Sequence, residues 1–257
     1  MIVRKSPEEI EARAAAGDIV AGCLAMLRGM CRPGVTTADL DRAGDKFIRA
    51  RGGEPAFLGY RGFPASICTS PNSMVVHGIP GDFELSAGDL ISLDVGVEYE
   101  GWVADAALTV ALRPVSPVAG RLLKATRESL EAAVEQCRPG RRLGDVSHAV
   151  QQRVEEEGFS VIRSLVGHGI GRQMHEDPQV PNFGEPGRGV RLEEGMVFCV
   201  EPMVTAGEHA VRMGDDNWAI YSEDSSLTAH FEHTIAVTAE GPRILTPWHL
   251  QEDRAAA

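Results

Sequence analysis

Five residues in this chain could do concerted chemistry: Asp94, Asp105, His168, Glu201 and Glu232. Asp94 ends the run Leu90-Ile-Ser-Leu-Asp94, and Asp105 sits inside Trp102-Val-Ala-Asp105-Ala-Ala-Leu-Thr-Val. Glu201 follows Met196-Val-Phe-Cys-Val, and Glu232 lies in Ala229-His-Phe-Glu232-His-Thr-Ile-Ala-Val. These are apolar, strand-like settings. Four carboxylates cannot be desolvated together without a compensating cation. A pair of divalent metals is the simplest compensation, which makes the chain a candidate metal-dependent hydrolase. The phrase His168-Gly-Ile-Gly-Arg-Gln-Met-His175-Glu-Asp-Pro178 adds two imidazoles to one Gly-rich loop. There the glycines let backbone approach a small cavity closely.

The elements that would position these groups can be read locally. Glu100-Gly101 reads as the two-residue turn of a hairpin. Tyr99 then faces Trp102, Asp94 faces Ala107, and Asp105 is the diagonal neighbour of Asp94 on one sheet face. Diagonal Cβ atoms lie roughly 7–8 Å apart or less, which suits two carboxylates gripping ions about 3.5–4 Å apart. Alternation along the strand around Glu232 puts Glu232, Thr234 and Ala236 on one face and His233 and Ile235 on the other. His233 is therefore expected to be structural, while His230 shares the Glu232 face. Ser6-Pro7-Glu8-Glu9 is a helix start with Ser as N-cap, Pro first and Glu three residues after the cap. Ser116-Pro117 marks another, and Thr36 can cap a helix carrying Leu40, Phe47 and Ile48 on one face.

The chain also repeats itself. Cys31-Arg-Pro-Gly34 and Cys137-Arg-Pro-Gly140 are 106 residues apart, and each is followed at equal intervals by an Asp (Asp39, Asp145) and a Gly (Gly52, Gly158). Leu85-Ser-Ala-Gly88 through Asp94 matches Leu192-Glu-Glu-Gly195 through Glu201 at an offset of 107. Ser73-Met-Val-Val-His77-Gly-Ile matches Ser164-Leu-Val-Gly-His168-Gly-Ile. The acids thus fall into pairs, Asp94 with Glu201 and Asp105 with Glu232, and His77 pairs with His168. Each half is helices first, then antiparallel strands. The expectation is an α+β fold of two halves related by an approximate twofold, with a curved sheet inside, helices outside and the site where the halves meet. No Gly-x-Gly-x-x-Gly is present, which disfavours a dinucleotide fold.

Composition narrows the function class. A chain of 257 residues with 43% hydrophobic content can bury a large core. Its formal net charge of −12 argues against a nucleic-acid surface. No apolar stretch is long enough to span a membrane, and Met1-Ile-Val-Arg-Lys-Ser6 leads straight into a helix signal, so a cytoplasmic location is expected. The five cysteines contain no Cys-x-x-Cys and read as reduced, mostly buried thiols.

The motifs as a set carry a resemblance. His77-Gly-Ile-Pro, Asp94, Asp105, Gly167-His168-Gly-Ile-Gly, His175-Glu, Glu201-Pro-Met and Glu232-His-Thr resemble, in order and spacing, those of the type I methionine aminopeptidases of the pita-bread metallopeptidase family. The resemblance runs from about Ser6 to Pro247. It implies one pita-bread catalytic domain over 1–257, with halves of about 6–112 and 116–240. It further implies two divalent ions (Co, Mn, Fe or Zn), Asp94 on one, His168 and Glu201 on the other, and Asp105 and Glu232 bridging. Water would be the nucleophile, Glu201 the proton shuttle, His175 the group steadying the scissile carbonyl, and His77 a contact to the peptide. Phe57, Tyr60, Phe63, Cys68 and Trp218 would form the methionine pocket. Phe57 stands where a small residue is usual, Arg61 where His is common, and Met174 in place of an aromatic. The expected activity is removal of the initiator methionine from nascent chains with a small second residue. The expected enzyme is a monomer of the minimal bacterial type with transient ribosome contact. Glu201 and Glu232 are only 31 residues apart, which leaves no room for the long insertion of the type II enzymes. Two alternatives stay open: an aminopeptidase of the same fold with Xaa-Pro or peptide-tailoring specificity, and a non-catalytic homologue that binds ribosomes or partners.

Overall fold

The computed structural model describes residues 2–250. Helix α1 (Pro7–Met30) starts on the expected capping box, with Ser6 and Glu9 exchanging side-chain and backbone bonds and Pro7 in the first turn. Helix α2 (Thr37–Arg49) is capped by Thr36 and Asp39 in the same way. After the first strands come α3 (Pro117–Gln136), capped by Ser116, and α4 (Leu143–Glu156). Each half therefore opens with a helix pair, as the repeat requires. Among the described residues every strand ladder is antiparallel, and no helix is long and apolar enough to cross a membrane.

The hairpin Leu90–Tyr99 with Trp102–Ala111 forms the spine of the first half. Its turn residues Glu100 and Gly101 both have positive φ, 50° and 74°, the pairing that a two-residue turn needs to match strand twist. The register follows from it: Tyr99 opposite Trp102, Asp94 opposite Ala107, and Gly96 opposite Asp105. Period-two alternation then sorts the hairpin. Leu93, Val95, Val97, Ala104, Ala106 and Leu108 join the main core that includes α1. Asp94, Gly96 and Asp105 point to the opposite face, which is also buried. Glu54–Pro55 and Cys68–Pro71 pair along the outer edge of Leu90–Tyr99. In the second half a five-stranded sheet runs in the order Gly241–Ile244, His233–Thr238, Val197–Val200, Val166–Gly169, Glu176–Pro181.

The halves meet along Trp102–Ala111 and the segment 228–238. Glu232 donates its N–H to the Ala107 carbonyl at 2.9 Å, Asp105 N–H donates to Thr234 Oγ1 at 3.1 Å, and His230 N–H donates to Thr109 Oγ1 at 2.9 Å. The first two contacts involve repeat-related positions, Asp105 matching Glu232 and Ala107 matching Thr234, one through a backbone carbonyl and the other through a hydroxyl. That is the local signature of the twofold.

Two details differ from the sequence reading. The strand expected around Glu232 is split. Thr228–His230 pairs with Met203–Thr205, His233–Thr238 pairs with Val197–Val200, and Phe231 and Glu232 form the break. The register is the same on both sides, so the segment is one ladder interrupted where Glu201 and Glu232 leave it. His77 and His168 are not structural mates. His77 follows a strand (Met74–Val76) paired with Ile220–Ser222 in a separate small sheet and has φ 59°. His168 lies in Val166–Gly169 beside Val197–Val200, a place matched in the first half by Cys68–Pro71 beside Leu90–Tyr99. The seven-residue match there marks local similarity only.

Candidate active site

Asp94 and Asp105 reach one point because the hairpin register makes them diagonal on its inner face. Glu201 arrives from the end of Val197–Val200, and Glu232 from the break in the facing ladder. The Glu232 backbone is held on both sides, since its carbonyl accepts from Trp248 Nε1 at 2.9 Å while its N–H is bound to Ala107. Asp105 is held through Thr234, whose hydroxyl donates to the Asp105 carbonyl at 2.8 Å. His168 completes the group with Nε2 3.9 Å from Asp105 Oδ2 and 3.7 Å from Glu201 Oε1. The structure thus gathers all five sequence-selected residues.

Electrostatically the cluster is far from balance. Asp94 Oδ1, Asp105 Oδ1 and Glu232 Oε1 are buried without a hydrogen-bond partner. Burial pushes the Asp94 carboxyl up to about 7. Burial, then repulsion from Glu232 and Asp94, raises Asp105 well above the usual carboxylate range. Glu201 and Glu232 rise for the same two reasons, burial first. Burial lowers His168, which leaves its imidazole neutral. Orphaned acceptor oxygens beside a neutral imidazole are the donor set of a divalent cation. Ligand atoms of Asp105, His168, Glu232 and Cys199 lie within 4.8 Å of one another. Cys199 was read from sequence only as a buried thiol. It lies two residues before Glu201 in the same run, so strand alternation could have placed it on the site face. Burial and the surrounding carboxylates keep its thiol protonated, which makes it a poorer donor than its neighbours.

The cluster opens into a cavity of about 290 Å³. Phe57, Tyr60, Phe63, Cys68 and Trp218 all line it, as do His77 and His175. Phe63 packs edge-on against Trp218 at 5.1 Å and against Phe57 at 6.5 Å. Phe57 and Met174 press on the bare backbone of Gly96, where a Cβ would meet Phe57 Cε1 at 2.7 Å and Met174 Cε at 2.8 Å. Gly96 lies directly opposite Asp105, so the apolar wall abuts the acidic cluster. His175 Nδ1 shares a proton with Tyr60 Oη at 2.8 Å, and its ring sits 4.2 Å from that of His168. Desolvation first, then His168, Arg61 and His77, push His175 down to about 3, so it is neutral at physiological pH. Its loop is pinned by Glu176, which bonds Lys5 at 2.7 Å.

Three further residues stand around the site. His230, expected on the Glu232 face as a candidate to back the acidic cluster, is buried with Nε2 3.8 Å from Glu201 Oε2. Burial, then His77, lowers it to about 3. His233 is structural as expected, stacked on Trp248 at 4.6 Å. Arg13 was unforeseen. It is fully buried in α1, and its two Nη atoms donate to the carbonyls of Ile170 (2.8 Å) and Val103 (2.7 Å). A buried cation on an apolar helix face looks like an error in one dimension. Its partners are carbonyls from two other segments.

Comparison with known proteins agrees with this geometry. Residues 11–239 match the model of metallopeptidase family M24. A methionine aminopeptidase of Clostridium acetobutylicum is 49% identical over 96% of this chain and 99% of its own length. One from Clostridium perfringens is 47% identical over the same shares. The crystal structure of a methionine aminopeptidase from Thermotoga maritima superposes with a TM-score of 0.94 at 44% identity, covering 96% of this chain and 99% of that one. These matches span nearly the whole length of both partners, and on that ground the chain belongs to metallopeptidase family M24, among its methionine aminopeptidases, and has the pita-bread fold.

Proposed function

We propose that this protein removes the initiator methionine from nascent chains whose second residue is small. The observation that carries the reading is the junction at Gly96 and Asp105. There a carboxylate-rich cluster with three orphaned oxygens abuts an apolar slot walled by Phe57, Phe63, Met174 and Trp218. An unbranched thioether side chain suits such a slot. The cluster would hold two divalent ions, Co, Mn, Fe or Zn, with Asp94 on one, His168 and Glu201 on the other, and Asp105 and Glu232 shared. When bound, such ions lower the pKa of water and polarise a carbonyl.

The chain's own groups account for the rest. Glu201 takes a proton from water and passes it to the leaving amine. His175, neutral and fixed through Tyr60, can donate from Nε2 to the oxygen of the scissile carbonyl as charge builds there. His77, on the same cavity wall, contacts the peptide beside the scissile amide. Phe57, Tyr60, Phe63, Cys68 and Trp218 hold the methionine side chain and keep water from it. The catalytic unit is one pita-bread domain over 1–257, with halves of about 6–112 and 116–240, acting as a cytoplasmic monomer in transient contact with the ribosome.

The test is release of free amino acid from Met-Ala-Ser, Met-Leu-Ser and Ala-Pro-Ser, after chelation and re-addition of Mn or Co. Metal-restored cleavage of Met-Ala-Ser alone is expected. Cleavage of Ala-Pro-Ser instead would assign an Xaa-Pro specificity, and cleavage of none would favour a binding role.

A further inference from the structure

The central cavity continues into a second one of about 780 Å³ that shares Arg61, Val166, His168 and His175 with it. Among the described residues Arg61 is the only lysine or arginine lining the central cavity, and it lines both cavities. The charges farther along the second cavity are mostly accounted for. Lys5 is bound to Glu176 at 2.7 Å, and Glu9 accepts from the Ser6 N–H at 2.9 Å. Asp177 also lines this wall. Arg172 lies 3.6 Å from the centre of the Trp102 ring and donates to the carbonyls of Glu100 and Gly101, which are neutral. Arg61 lies over the Tyr60 ring at 5.3 Å. Among the described residues neither guanidinium has a carboxylate partner, although the chain carries 37 acidic residues against 25 basic ones. Both are exposed along a cleft that begins at the acidic cluster.

We infer that this second cavity is a subsite for the peptide beyond its second residue, and that Arg61, with Arg172 behind it, selects an acidic side chain at the third position. The inference rests on the proposed function and deepens it. A peptide with its first side chain in the aromatic slot and a small second residue can leave the central cavity past His175 and Arg61, where the second cavity begins. A planar guanidinium backed by Tyr60 keeps its donor edge free for a carboxylate. The pair is solvent-exposed, so the preference is modest and salt-sensitive.

The experiment measures kcat/KM for Met-Ala-Xaa-Ser amides with Xaa as Asp, Ser or Lys, using metal-loaded protein at low and moderate salt. The C-terminal amide removes the only other carboxylate a short substrate offers. The wild-type Asp-to-Lys ratio should be about two- to fivefold and shrink with salt. Arg61→Glu should invert it, and Arg172→Glu should reduce it. The ratio is internal to each variant, so a general loss of rate does not move it. Equal rates for Asp and Lys in wild type, or a ratio unmoved by both substitutions, overturns the subsite while leaving methionine removal intact. Salt-sensitive binding of a short RNA that Arg61→Glu abolishes, with no peptide charge preference, reassigns the cleft to nucleic acid and also overturns it. Failure to cleave even Met-Ala-Ser-Ser amide overturns both readings.

Discussion

Asp105 sits among the other carboxylates of the cluster. It faces Asp94 and Glu232 at once, and its carboxyl is raised by both after burial itself. A divalent cation relieves both the burial and the repulsion, so a neutral amide there removes a charge the centre needs. Asp105→Asn should lose metal affinity and nearly all turnover, at least about 100-fold, as read by calorimetric titration with Mn or Co and by methionine release. Wild-type affinity in that variant would remove Asp105 from the ligand set. Gly96 tests the apolar wall separately. Its missing Cβ is the space that the Phe57 ring and the Met174 methyl occupy. Gly96→Ala should push both into the slot, raising KM for Met-Ala-Ser by about tenfold while metal affinity stays. A change in affinity without one in KM would place the glycine's role at Asp105 opposite.

The elements depend on a few cross-links that local patterns do not announce. Arg13 ties α1 to the strand that carries Asp105 and to the loop that follows His168, at Val103 and Ile170. The same two segments are joined directly by the Val103 N–H donating to the Gly171 carbonyl at 2.9 Å. Burial lowers the guanidinium to about 10, so it remains charged. A lysine puts a single nitrogen, on a shorter reach, in place of the two Nη atoms that bind these carbonyls separately. Arg13→Lys should therefore leave one of them without a donor and cost about 2 kcal/mol, measured by urea unfolding of the metal-loaded protein. A loss within experimental error would show that the helix docks by apolar packing alone. The hairpin was readable in advance because a two-residue turn sets register by itself. The break at Phe231 and Glu232 was not, because the alternation of residue types runs through it unchanged.

Across the whole molecule the buried titratable groups set how stability follows pH. The site carboxyls hold protons in the fold that the unfolded chain releases near pH 4. Without metal, stability from these groups falls as pH rises toward their folded values, which for Asp94 is about 7. His175, His230 and His233, each lowered to about 3, act oppositely. The unfolded chain binds protons there that the fold refuses, so stability is lost as pH drops below about 6.5. The metal-stripped protein should lose Tm between about pH 7 and 8, a window between the unfolded ranges of imidazole and thiol where the carboxyls dominate. With Mn or Co bound the loss should vanish, because the cations favour the ionised form. Parallel melting curves at both ends of that window check this, and a stripped protein equally stable at both would mean the carboxyls are already compensated from within the chain.

The amino-acid sequence by itself determined the helix starts, the hairpin register and the identity of the acidic cluster. Each depends on short-range rules: a capping side chain three residues from its partner, a turn of two residues, a strand period of two. It also determined that Asp94 and Asp105 share a face, since one turn sets both positions. Tertiary structure alone decided how the halves join. Thr234 holding Asp105, Ala107 holding Glu232, and Arg13 bridging Val103 and Ile170 are contacts between segments far apart in the chain. The match of His77 with His168 fails for the same reason: similar local sequence entered two different sheets. Which strands become neighbours is settled by the packing of one half on the other, and no local period encodes that.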